Sequence, residues 1–204
     1  NIFLFDAYGE YQRAFSRIHE VNENINYKVY TTDLNSSEFE IIQMPFWLLG
    51  LDDLCLLMNV TSKEQIPFIE KALKLVSYFS RNEDEIINQK NDIIARCLLD
   101  VLFSGKSPSM IRNKFISILT KFSTRNLNLD VSLVKGGWTR TIRQCLFVEA
   151  GGEFSDVEVV IEYLESLCLD NFELSMPNGE FMYTMKDFSV ALDFALISEG
   201  ALNS

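Results

Sequence analysis

Two acids near the start of the chain are spaced as reacting groups can be. Asp6 follows the apolar run Ile2-Phe3-Leu4-Phe5, and Glu10 stands four residues later in Asp6-Ala7-Tyr8-Gly9-Glu10. In parallel α/β sheets ligands gather beyond the carboxyl ends of the strands. An acid placed directly after a buried strand therefore sits where it can hold a metal, orient a water or move a proton. Glu10, close to a helix start, is favoured there by the helix dipole alone, so spacing leaves both readings open. A second set of chemistry-bearing residues is basic. On the helix expected from Ser109 to about Arg125, Lys114, Lys121 and Arg125 project within ~40° of one another at ~100° per residue. Such a stripe either meets phosphates, nucleic acid or a neighbouring subunit, or carries its charges out to water beside an apolar face.

Other strings carry less. Gly105-Lys106-Ser107 has the end of a phosphate loop, but G-x-x-x-x-G-K-S needs a glycine where Asp100 stands, and the string follows a helix pattern rather than a strand. Gly151-Gly152-Glu153-Phe154 is one acid short of the cyclic-dinucleotide synthase signature and reads as a turn. His19 has no carboxylate or serine partner in sequence and reads as a surface residue. Cysteines 55, 97, 145 and 168 stand singly inside apolar segments, which suits reduced, buried thiols; no metal set is expected. Asn35 and Asn59 open N-x-S/T triplets that matter only in a secreted chain, and no secretory pattern is seen.

With 204 residues, 48% of them hydrophobic, the chain can bury a substantial core, and no apolar run approaches the ~20 residues of a membrane span. A cytoplasmic protein is expected. The net charge of −11 argues against an all-over nucleic-acid binder, yet the charge is uneven. Residues 105–145 hold eight of the 18 basic residues and one of the 29 acids, Asp130, a local balance of +7 against −18 for the remainder. That polarity suits a surface meeting something acidic, or a basic helix packed beside acidic ones within one fold.

The elements that must position these residues look α/β up to the forties and helical beyond. Ile2–Phe5 lacks polar alternation and reads as a strand covered on both faces, Glu10–Glu20 as a helix, and Tyr27–Tyr30 and Phe39–Ile42 as short strands. Helices follow from Leu51 to Met58, from the capping box Thr61…Glu64 with Pro67 delaying or kinking its first turn, from Asn82 with Glu85, and from Ser107-Pro108. Two more start at Ser155…Glu158 and Thr184…Asp187, the last ending at Gly200, with a short strand expected at Phe181–Tyr183 and a plain connection over 126–137.

Taken together, the segment FDAYGEYQRAF resembles the D-P-H-G-E-Y segment of HerA-like ATPases, hexameric DNA translocases related to FtsK. IQMPFWLLGLDDL is similar to that family's V-P-Y-W-L-L-x-x-x-E-L passage, EQIPFIEKALKL to the helix that follows it, and MKDFSVALDFALISEGALNS to the segment leaving a helical insertion. Ala7 and Tyr8 stand where the family has proline and histidine, and residues 82–180 match only in being helical. The resemblance implies a mainly α chain: a helical bundle flanked by short α/β elements of a RecA-like core. Its parts are 1–48 (partial core), 49–180 (helical insertion) and 181–204 (return to the core).

By the same resemblance Asp6 and Glu10 lie at the nucleotide edge, and Pro45 and Trp47 are packing residues. ATP and magnesium serve the intact parent, and none is expected on this chain, which shows neither phosphate loop nor Walker B acid and begins with Asn1, as a piece of a longer protein would. Duplex DNA, a homohexamer and a nuclease or other effector are the implied partners. Two alternatives remain: a non-catalytic helical module docking through residues 105–145, and an independent enzyme using the Asp6/Glu10 pair, which no nucleophile or metal set accompanies.

Overall fold

The computed structural model describes residues 2–203 other than Asn82 and Glu180, and for residues 83, 85 and 199–203 it describes the backbone alone. The expected cap between Asn82 and Glu85 lies outside the described residues. The chain divides into two compact units, Asn1–Met44 and Pro45–Ser204, and is mainly helical.

The first unit holds two single-turn helices, α1 (Gln12–Phe15) and α2 (Ile18–Val21), and two strands, β1 (Tyr30–Thr31) and β2 (Glu40–Ile41). The strands pair in parallel, Tyr30 opposite Glu40 and Thr31 opposite Ile41. The strand expected at Ile2–Phe5 does not form: the run has no regular secondary structure and no strand partner, with Phe3 83% and Phe5 91% exposed. A two-faced apolar strand depends on sheet neighbours and covering helices, and no described strand pairs with it. The helix expected over Glu10–Glu20 is broken at Arg17, and neither of its halves buries a residue. Helices this short are marginal without an apolar face to dock.

The second unit carries the core. A 3-10 turn at Phe46–Leu48 leads into α3 (Leu51–Leu57), followed by α4 (Ile66–Phe79), α5 (Glu83–Leu102) and α6 (Pro108–Phe122). Pro67 does delay its helix. α4 begins at Ile66 with Gln65 as its N-cap residue and no side-chain cap, and the expected Thr61 box is replaced by a turn in which Ser62 N–H donates to Gln65 Oε1 at 3.4 Å. Ser107 is the extended N-cap residue of α6 and Pro108 its first helical residue, where the missing N–H costs nothing.

The stretch 126–137, expected as a plain connection, instead contributes to an antiparallel hairpin of β3 (Ser132–Lys135) and β4 (Trp138–Thr141). Its two-residue turn is Gly136-Gly137, at φ +56° and +88°, the left-handed geometry a tight hairpin demands. A short α7 (Ile142–Cys145) follows at once, capped reciprocally by Thr141 and Gln144.

Asp156 is the N-cap residue of α8 (Val157–Leu167); Ser155, expected to cap it, instead donates its hydroxyl to the carbonyls of Gln144 and Cys145. α9 (Met185–Asn203) has the expected Thr184/Asp187 box but runs through Gly200 instead of ending there. The strand expected at Phe181–Tyr183 is absent. Its rings pack instead, Tyr183 at 6.1 Å from Phe181 and 6.0 Å from Phe46.

α4 packs along α9, and α5 touches α4, α6, α8 and α9. Their apolar positions recur every three or four residues: Ile69, Ala72, Leu73 and Val76 on α4, Phe188, Ala191, Phe194 and Ala195 on α9. Phe79, Phe122 and Phe194 bring α4, α6 and α9 together, with centroids 4.8–5.7 Å apart and two edge-to-face contacts.

Polar groups are buried in α5 as well. Asp92 accepts from Leu169 N at 2.7 Å and from Arg96 Nε at 2.9 Å, and Asn91 Oδ1 accepts from the Thr124 hydroxyl at 2.6 Å. Truncating Phe194 to Ala should lower the unfolding free energy by about 3–5 kcal/mol in urea titrations, since it empties the meeting point of three helices. Asp92→Ala should remove about 1–3 kcal/mol by leaving the Leu169 amide without its acceptor. A Phe194→Ala loss below about 1 kcal/mol would show that the ring cluster is not a cohesive core.

Candidate functional site

Asp6 does not end a strand; it closes a turn. Its carboxylate accepts from the backbone N–H groups of Tyr11 (2.8 Å), Glu10 (3.1 Å) and Gln12 (3.3 Å), with Gly9 at φ +71° reversing the chain between them. A carboxylate facing the free amides at a helix start satisfies donors that have no partner inside the helix. Desolvation pushes the Asp6 carboxyl up, but the backbone N–H donors of Tyr11, Glu10, Gln12 and Tyr8 together outweigh it and hold the group below its ordinary 3.8. Asp6 and Glu10 are thus joined through the backbone of Glu10, not as two facing carboxylates. The Glu10 side chain is exposed, and no hydrogen bond from it is seen among the described residues.

The basic stripe lies along α6 and just past it. Lys121 Nζ reaches Asp193 of α9 at 2.7 Å, and Arg125 pairs with Asp84 of α5. Lys114 has no ion-pair partner among the described residues. Farther along, Lys135 meets Glu158 at 3.5 Å, Arg140 meets Asp156, and Arg143 lies 3.8 Å from Asp130. Much of the positive stretch 105–145 is therefore set against acids of the same unit.

The sequence reading missed a concave site in the second unit. A cavity of about 680 Å³ is lined by Arg112 of α6, Arg140 of β4, and Arg143 and Gln144 of α7, with Phe147 and Glu149 beyond them. The hairpin and the Thr141/Gln144 cap bring these residues together, so the signal lay in Gly136-Gly137 between two alternating runs, followed by Thr-x-x-Gln.

The remaining strings behave as turns and core. Gly105, at φ +71°, reverses the chain after α5, and Gly152, at φ +83°, sits in a turn closed by Gly152 N–H to the Glu149 carbonyl at 2.9 Å. His19 Nδ1 donates to the Ile25 carbonyl at 3.3 Å on the surface. The four cysteines form no disulfide among the described residues, and burial pushes the Cys145 and Cys168 thiols up, Cys145 further beside Asp156. Among the described residues no three His, Cys, Asp or Glu converge as a metal site, and no helix is long and apolar enough to cross a membrane.

The family described as "Helicase HerA, central domain" matches residues 1–130. The match takes in the Asp6–Glu10 turn, Pro45, Trp47 and the basic stripe, and leaves the closing segment 185–204 outside it. Among curated proteins and among solved structures, nothing matches.

The Asp6 turn has a pH signature with a fixed sign. Because folding lowers this carboxyl, its contribution is present above the ordinary carboxylate range and is lost as pH falls through the folded value. Side-chain NMR titration should place the Asp6 midpoint below that of a free aspartate. Asp6→Ala should speed amide exchange at Glu10, Tyr11 and Gln12 at neutral pH; unchanged exchange would show that the carboxylate does not hold the turn.

Proposed function

Since this chain belongs to the HerA helicase central-domain family, we propose that it is the helical region of an ATP-driven translocase that moves duplex DNA through a homohexameric ring in the cytoplasm. A nuclease or other effector is its partner in DNA processing or phage defence. The observation that carries this reading is the family match over residues 1–130, which runs from the acid turn through the α4–α6 helices.

The residues present do not make a magnesium–ATP site by themselves. The oxygens of Asp6 are taken by backbone amides, the described acids do not converge, and Gly105-Lys106-Ser107 follows a helix. A phosphate-loop site needs an amide cradle, a lysine and metal-binding acids together. The phosphate loop and Walker B acid of the proposed motor belong to sequence outside these 204 residues. Within this chain Asp6 acts as a positioning residue, fixing the turn, and Glu10 is the acid presented to solvent. On this reading Glu10, by resemblance, supports metal or water at the nucleotide edge.

Lys114 is the stripe member to test first, because Lys121 and Arg125 already hold acids of the fold. In fluorescence titrations with duplex DNA, Lys114→Glu should weaken binding and reduce the salt slope by about one counterion. Equal affinity and slope for both proteins would show that the stripe does not face DNA. In the full-length protein, Glu10→Gln should lower DNA-stimulated ATP turnover, and the reading frame upstream should contain G-x-x-x-x-G-K-[ST]. A secretion signal in its place would overturn the motor reading.

A further inference from the structure

The arginine cavity carries a function of its own, independent of the family. Arg112, Arg140 and Arg143 converge on it from α6, β4 and α7, against one lining acid, Glu149. Arg140 is held by Asp156, and Arg143 touches Asp130 only at 3.8 Å with half of its side chain exposed. Arg112 is the telling residue. Its Nε is shielded from solvent and has no hydrogen-bond acceptor among the described residues. A buried N–H left without an acceptor is uncommon, and more so on a charged group. Guanidinium forks match the oxygens of phosphoryl groups in bidentate geometry. Gln144 and Ser155 line the same space, held in place by the Thr141 cap and by the Ser155 hydroxyl donating to the Gln144 and Cys145 carbonyls, and a volume of about 680 Å³ lies within the range of ligand clefts. A second hollow of about 250 Å³ shares Arg112 and Phe147, extending the site toward the start of α6. Phe147, 59% exposed, lines both hollows beside Arg112.

We propose that this pocket binds a phosphoryl-bearing ligand, with Arg112 Nε and the Arg143 guanidinium taking the phosphoryl oxygens and Arg140 kept in place by Asp156. The phosphoryl group comes either from a free polyphosphate or phosphate ester or from the phosphorylated end of a nucleic-acid strand. Both present the same oxygens to the same arginines.

The test is calorimetric titration of the chain with inorganic tripolyphosphate, and in parallel with one short single strand bearing a 5′-phosphate or a 5′-hydroxyl. The expected result is saturable one-to-one binding of tripolyphosphate, or of the 5′-phosphate strand in preference to the 5′-hydroxyl strand. Arg112→Gln and Arg143→Gln should each weaken it about tenfold, the loss of one charge-assisted pair. Lys114→Gln, outside the pocket, should leave it unchanged. Amide shifts on titration should centre on Gln144 and Ser155. Because Arg112 Nε has no acceptor among the described residues, Arg112→Gln should unfold at no lower a temperature than the parent. Half-exposed Arg143 gives a second variant that does not disturb the core. Absence of saturation into the millimolar range with all three probes overturns the proposal, as does equal weakening by Lys114→Gln and Arg143→Gln.

Discussion

A single turn of α5 sets the arrangement of the helical unit. Asn91 and Asp92 are both buried there, in a helix otherwise built to face apolar neighbours. Asp92 grips the Leu169 amide while its partner Arg96 donates to the Leu169 carbonyl at 2.8 Å, so the chain leaving α8 is held at donor and acceptor alike. Asn91 holds Thr124, whose hydroxyl accepts from Leu127 N at 2.9 Å, and this fixes the chain leaving α6. Buried polar groups cost free energy unless every partner is present, so such a turn admits few alternative packings. The hairpin and the arginine cavity follow directly on the exit from α6 and inherit its placement.

How much of this was legible depended on whether a signal was local. Ser107-Pro108 and Thr184…Asp187 mark their helices because capping is settled within four residues. The apolar spacing of α4, α5 and α6 likewise announced faces that the structure buries. The run Ile2–Phe5 misled, because a strand's existence rests on partners elsewhere, and composition cannot say whether those partners are at hand. The Asp6/Glu10 spacing was visible, but not that Asp6 would turn back onto the amides of residues 10–12. The hairpin at Gly136-Gly137 was legible in principle, yet an abundance of helix signals on either side drew the segment into a connection. The convergence of Arg112, Arg140 and Arg143 could not be read from sequence, since it arises only when β4 folds back on β3.

The charge pattern shows the same division. A local balance of +7 suggests an outward-facing basic surface, but charge counts carry no direction. In the fold, Lys121, Arg125, Lys135 and Arg140 find acids contributed by α9, α5, α8 and the approach to α8. Exposed pairs of this kind add little stability individually. Their effect is to set much of the basic stretch against acids of the same unit.

None of the described residues from 2 to 44 is buried, although this segment is rich in Phe, Tyr and Ile. Apolar side chains left in water contribute no hydration change when the chain melts, and the heat capacity increment of unfolding scales with the apolar area newly exposed. A calorimetric endotherm of this chain would therefore report mainly on residues 45–204, with the first forty-odd residues, where only a few apolar side chains such as Ile18, Val29 and Phe39 are half-buried, adding little. Their aromatic surface would register only as an added increment once a companion polypeptide enclosed it.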